Sequence, residues 1–160
     1  MILIIGSNSF AGSSFVNFLL KNKHKVIGIS RSKELNNVYL PYKENKFYKT
    51  KFKFLKGDLN IIKDLDKIID IVKKYKIKYI VNFAAQGMVA ESWINPEDWY
   101  RTNILSNSKL IKELSKIKIK KYLNFSTPEV YGNTPNLIKE NFNFNPSTPY
   151  AISRAGQDMN

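Results

Sequence analysis

Near its C-terminus the chain reads "TPYAISR", which sets Tyr150 and Arg154 four positions apart. On a helix that spacing puts both side chains on one face. A free phenol titrates at about pH 10, and a neighbouring cation favours its ionised form. The pair therefore has the makings of an acid/base couple, and equally of an ordinary surface pair. A second stretch, "GSNSFAG", follows the apolar run Ile2–Ile5 and precedes an amphipathic segment. A helix beginning there would present free N–H groups and a positive dipole to an anion. Gly6 would let the chain turn. Gly12 would let the helix pack close to the strand or let a pyrophosphate approach. The alternative is a plain strand-to-helix turn.

These residues need elements to hold them. "ILII" is a short strand of buried type, followed by a helix with Ala11, Phe15, Phe18 and Leu19 on one stripe. "KVIGIS" (Lys25–Ser30) is a second strand. The polar, aromatic-dotted stretch 31–51 is long for a structureless loop and is expected to hold a short helix or hairpin. "FKFLKGD" closes a third strand, and Ile61, Leu65, Ile68, Ile69 and Val72 recur at helical spacing. "YIVNFAA" is a fourth strand. Pro96 opens a helix carrying Leu105, Leu110, Leu114 and Ile117, and "KYLNFS" is a fifth strand. The last helix begins at Pro149, capped by Ser147 or Thr148. Strands alternating with helices predict an α/β fold with a doubly wound parallel sheet. Such sheets bind ligands at the carboxyl ends of their strands, here after Ile5, Ile29, Phe83 and Phe125.

The second strand ends in Ser30, Arg31 and Ser32. An acid there would hold ribose hydroxyls, whereas Arg31 beside two hydroxyls suits a 2′-phosphate. The reading leans towards tolerance of NADP, with a solvent-facing arginine as the alternative.

With 160 residues, 43% of them hydrophobic, the chain is long enough for one domain with a real core. Its net charge of +13 invites a nucleic-acid reading. That charge is nearly all lysine, spread over loops and helix faces, and arginine occurs only at Arg31, Arg101 and Arg154. No nucleic-acid partner is expected. The absence of cysteine excludes disulfides and thiolate metal sites. No metal-ligand cluster is visible, and His24 lies in a lysine-rich turn. No run is long and apolar enough for a membrane span, and a cytoplasmic location is expected. Trp93 and Trp99 read as packing residues.

Taken in order, the motifs resemble the N-terminal half of an extended short-chain dehydrogenase/reductase of the NAD-dependent epimerase/dehydratase family. The likeness is strongest to nucleotide-sugar 4,6-dehydratases. "GSNSFAGSSFV" resembles the cofactor loop, with Gly6, Ser9, Phe10 and Gly12; Ser9 stands where the family has its middle glycine. "GDL" resembles the adenine contact, Asp58 and Leu59. "NFAAQGMVAESW" resembles the strand-four loop, in which Ala84 and Ala85 allow close approach to the cofactor. "TNI" holds Asn103, similar to the family's helix asparagine. "STPEVYG" and "TPYAISR" resemble the active-site and tyrosine motifs.

The resemblance implies a Rossmann-type NAD(P)-binding domain over residues 1–160, with NAD or NADP tightly bound and recycled and a nucleotide sugar as substrate. Tyr150 would be the base for the sugar's C4 hydroxyl. Arg154 would stand in for the usual lysine, with a bulkier, differently placed set of donors. Thr127 would hydrogen-bond the C4 oxygen, and Glu129 would remove the C5 proton. Pro128 occupies the place of an aspartate acid in dTDP-glucose dehydratases and has no proton to give. A 4-epimerase, which needs only Tyr150, Thr127 and cofactor, is the alternative reading; a non-catalytic cofactor-binding fragment is another. The family's C-terminal substrate domain is not in these 160 residues. The parent is expected to be a longer, homodimeric enzyme, and the chain alone to be inactive and poorly stable.

Overall fold

The computed structural model describes residues 1–160, and their contacts divide into two compact units. The first comprises Met1–Ala84 and Glu113–Phe125, the second Ala85–Lys112 and Ser126–Asn160.

The first unit is a five-stranded sheet in the order β3-β2-β1-β4-β5, every neighbouring pair parallel. Its strands are β1 (Ile2–Ile5), β2 (Val26–Ser30), β3 (Phe52–Lys56), β4 (Tyr79–Asn82) and β5 (Lys121–Asn124). β1 and β2 are apolar almost throughout because both faces of the sheet are covered there. Ile4 packs with Val16, Leu19 and Leu20 of helix α1 (Phe10–Lys21), joined by Val26, Leu40 and Tyr42. Helix α2 (Ile62–Lys74) buries Leu65, Ile68, Ile69 and Val72, as its spacing predicts. Ile61 is its half-exposed N-cap rather than a member of the stripe. The stretch after β2 forms three short helical turns, Asn37–Tyr39, Pro41–Glu44 and Tyr48–Lys51.

The stripe expected on α1 is corrected. Its buried face is Gly12, Ser13, Val16, Leu19 and Leu20, while Phe18 is 57% exposed. A β-carbon on Gly12 would lie 2.2 Å from the Gly6 carbonyl oxygen. The helix must therefore turn its glycine to the strand, and this rotation carries Phe18 outward.

The second unit is built on helices. Pro96–Trp99, a π-helical segment Tyr100–Ser106 and Asn107–Ser115 follow one another without a break, together α3. Trp99, Asn103, Ser106, Asn107 and Leu110 are its buried residues in this unit. Leu105, one of the apolar residues named on this helix, is 57% exposed: the middle of the buried face is polar, so the apolar residues alone do not trace it. Ile117 lies beyond the helix end. Helix α4 (Pro149–Asp158) is capped by Thr148, whose side chain accepts from the Ala151 amide. Of the two tryptophans only Trp99 is buried; Trp93 is 64% exposed.

Truncating Leu20, fully buried on α1, to alanine should cost about 2–5 kcal/mol. Phe18→Ala should cost within about 1 kcal/mol. Thermal or urea unfolding of the two variants measures the difference, and an equal loss would contradict the observed rotation of α1.

Candidate functional sites in the two units

In the first unit the turn from β1 to α1 is set by backbone geometry. Gly6 has φ +81°, and a β-carbon on it would meet the Ala84 amide nitrogen at 2.6 Å. The Gly6 amide donates to the Ile29 carbonyl at 2.7 Å, which ties the turn to the end of β2. Ser9 is the N-cap of α1, with φ −70° and ψ 160°. That is extended backbone open to any residue, which explains how a serine serves where the family has a glycine. The Ser9 hydroxyl donates to the Gly6 carbonyl at 2.8 Å and accepts from the Gly12 amide at 3.1 Å. The Ser13 amide bonds the Ser9 carbonyl. The amides of Phe10 and Ala11, the first two of the helix, find no acceptor within the chain. The turn thus offers an anion two N–H groups and a helix dipole. The Phe10 side chain itself is exposed.

The end of β2 is joined to this turn by a residue not singled out by the motif reading. The Asn8 amide donates to Ser30 Oγ at 2.9 Å, and its side-chain nitrogen donates to the Lys33 carbonyl at 2.9 Å. The Tyr42 hydroxyl reaches Asn8 Oδ1 at 3.4 Å and donates to Glu34 at 3.0 Å. Tyr48 donates to the same carboxylate at 3.2 Å. Glu34, the acid nearest the end of β2 in sequence, is therefore engaged by two phenols. Arg31 is exposed beside the buried Ser30. Burial first, and then the Glu34 carboxylate, push the Tyr42 phenol far above its ordinary value. The same two causes, in the same order, raise Tyr48.

After β3, Asp58 Oδ1 accepts from the Asn60 amide, and the Asp58 amide donates to Asp64 at 3.1 Å. The hydrogen bond from Lys67, then that from Asp58, hold the Asp64 carboxyl below its usual range. Leu59 is buried beside this turn. After β4, the Ala84 amide donates to Asn82 Oδ1 at 3.0 Å. The backbone of Ala84, with that of Phe83, forms the close approach at Gly6.

In the second unit, which begins at Ala85, Asn103 projects from the π-helical segment and is fully buried. Its side-chain oxygen accepts from the Gln86 amide at 2.7 Å. Its side-chain nitrogen donates to the Gln86 carbonyl at 3.1 Å and to Ser153 Oγ at 2.8 Å. Both N–H hydrogens of the amide are thereby used within the protein. Thr127 caps the short turn Pro128–Tyr131, accepting from the Glu129 amide at 3.4 Å, and keeps a hydroxyl proton to donate. Pro128 takes the first position of that turn, where a missing N–H costs nothing. Glu129 borders a depression of about 180 Å³ together with Tyr131, Gly132, Thr134 and Ile138. Helix α4 packs against this turn. Tyr150, partly exposed, stands at the second position of α4, and Arg154, one turn on, is 5% exposed. Ser126, just before Thr127, is hydrogen-bonded to Asp158 near the end of α4. Thr127, Glu129, Tyr150, Arg154, Ala85 and Asn103 therefore share one unit, while Gly6, Ser9, Phe10, Gly12, Arg31, Asp58, Leu59 and Ala84 share the other.

The model of the GDP-mannose 4,6 dehydratase family matches residues 3–160. The chain belongs to this family. The dTDP-D-glucose 4,6-dehydratase of Dictyostelium discoideum is 30% identical over 98% of the chain, which spans 38% of that protein. Among solved structures, the dTDP-glucose 4,6-dehydratase of Streptomyces venezuelae, determined with NAD bound, aligns over 99% of the chain and 49% of its own. It does so with a TM-score of 0.84 at 25% identity. The UDP-Glc/GlcNAc 4-epimerase of Campylobacter jejuni aligns with the same TM-score at 26% identity, over 99% of this chain and 46% of its own. The chain spans about half the length of most of the curated relatives it matches. Family membership and the parallel Rossmann-type sheet both agree with the motif reading.

Tyr42 and Tyr48 hold their protons more tightly in the folded chain than in the unfolded one. The stability they contribute is complete below about pH 10 and is lost as pH rises beyond it. Urea unfolding across that range should show the decline, and Tyr42→Phe should flatten it. An equally steep decline in the variant would contradict the assignment.

Proposed function

We propose that this chain is the N-terminal part of an NAD(P)-dependent nucleotide-sugar 4,6-dehydratase, acting in the cytoplasm. The observation that carries the reading is the gathering of Thr127, Glu129 and the Tyr150–Arg154 pair in one compact unit, within a chain matched by the family over residues 3–160. The cofactor reading is supported by the β1–α1 turn, where the free amides of Phe10 and Ala11 and the dipole of α1 suit a pyrophosphate. Gly6, Ser9, Phe10, Gly12, Arg31, Asp58, Leu59, Ala84, Ala85, Tyr150 and Arg154 are the residues we assign to holding it; Asn103, whose amide is spent on Gln86 and Ser153, would serve it only by fixing the strand-four loop. When bound, the cofactor supplies a hydride acceptor that later returns the hydride.

The chain's own residues then divide the proton work. Tyr150 accepts the proton of the sugar's C4 hydroxyl, helped by the positive charge of Arg154. Thr127 donates a hydrogen bond to the C4 oxygen. Glu129 removes the C5 proton, which the neighbouring ketone has made acidic. Pro128 cannot protonate the departing C6 hydroxyl, so that proton comes from Glu129 or from water. A C4-epimerase is the second reading. It is favoured by Pro128, and by a 4-epimerase fitting the chain as well as a dehydratase does. Homodimerisation is supported by Leu105, Ile152 and Met159, exposed apolar residues on α3 and at α4.

The test is product analysis. The full-length enzyme is incubated with dTDP-glucose, GDP-mannose and UDP-glucose, and a 4-keto-6-deoxy sugar is expected. A C4 epimer as sole product would overturn the dehydratase assignment. Tyr150→Phe should lower kcat by about 10²–10⁴-fold. Glu34 is occupied by tyrosines and Arg31 lies exposed next to Ser30 and Ser32. Arg31→Ala should therefore weaken NADP at least about tenfold while sparing NAD, as measured by titration. Equal losses for the two cofactors would refute a role for Arg31 in telling them apart.

A further inference from the structure

The first turn of α4 has a gap in its own capping, and a different element fills it. Pro149, the first residue, has no N–H to satisfy. Thr148 takes the Ala151 amide through its side chain at 3.0 Å and the Ile152 amide through its carbonyl at 2.8 Å. That leaves the amide of Tyr150. It donates to Ser92 Oγ at 3.1 Å, from the short turn Ala90–Trp93. Ser92 is fully buried, and its own hydroxyl hydrogen is committed to the Val89 carbonyl at 2.6 Å. A serine whose proton is spent in one direction can only accept in the other, so Ser92 presents a fixed lone pair to Tyr150. The other side of the residue is held as well. The Ser153 hydroxyl donates to the Tyr150 carbonyl at 2.7 Å, and that hydroxyl accepts from Asn103. The backbone of Tyr150 is therefore gripped at its N–H and its C=O by side chains that are wholly buried.

We infer that Ser92 is a positioning residue for Tyr150: it fixes the backbone from which the phenol projects, and with it the alignment of the phenol towards Arg154. The inference rests on the reading of Tyr150 as the base. Ser92 touches neither sugar nor cofactor in this role. With alanine at 92 the Tyr150 amide loses its partner, while the Val89 carbonyl keeps the hydrogen bond from the backbone amide of residue 92.

Amide hydrogen exchange on the 160-residue chain, followed by NMR, tests the grip directly. In Ser92→Ala the Tyr150 amide should exchange about tenfold faster, while Ala151 and Ile152, held by Thr148, keep their rates. Ser92→Thr should restore protection. Ser92→Cys, nearly isosteric but a weak acceptor, should fall between, and it serves if the extra methyl of threonine is not accommodated. In the full-length enzyme Ser92→Ala should lower kcat about tenfold with KM and cofactor affinity within about twofold. An unchanged Tyr150 amide, equal acceleration of all three amides, or an unaltered kcat would overturn the inference. Absence of turnover by the wild-type enzyme would instead sink the dehydratase reading, and the exchange rates would still decide for or against the grip.

Discussion

The molecule's first unit depends on two places where no side chain fits. At Gly6 the chain turns with φ +81°, pressed against the end of β4; at Gly12 the first turn of α1 lies on the Gly6 carbonyl. A β-carbon at either would meet backbone at 2.6 Å or less, and backbone does not yield as a flexible side chain can. These contacts set the rotation of α1, and that rotation decides which of its residues reach the core. They also bring the unpaired amides of Phe10 and Ala11 to the carboxyl end of β1, where a parallel sheet binds its ligands. Packing and the placing of these free amides share one cause here.

The second unit is organised by polar groups instead. The buried face of α3 runs through Asn103, Ser106 and Asn107, where an ordinary amphipathic helix would carry apolar side chains. Buried polar groups are costly unless they are paired. Asn103 meets that requirement by bonding both the N–H and C=O of Gln86 as well as Ser153. The outcome is a chain of hydrogen bonds from the strand-four loop to the backbone of Tyr150. Such a network holds a loop and a helix at fixed register, which an apolar contact of similar area does less sharply.

Much of this was legible in the residues. β1 and β2 are short apolar runs ended by glycine or serine, and α2 has an unbroken apolar period, so all three stand where the pattern puts them. Thr148 and Pro149 marked the start of α4. The readings that failed have specific causes. Phe18 is apolar, but the glycine contact takes precedence over its burial. Leu105 is apolar yet stands off the buried face of α3, whose middle is polar. The links from Asn8 to Ser30, Lys33 and Tyr42, and from Glu34 to Tyr42 and Tyr48, join residues from several elements. No local spacing announces them. The grip of Ser92 on Tyr150, across 58 positions, is hidden for the same reason.

The central claim is that the β1–α1 turn is a dinucleotide site. Titrating the folded 160-residue chain with NADH and NADPH, followed by nicotinamide fluorescence, tests it most directly. The account predicts saturable binding of one dinucleotide per chain, displaced by the oxidised form. A folded chain that binds neither cofactor would contradict it.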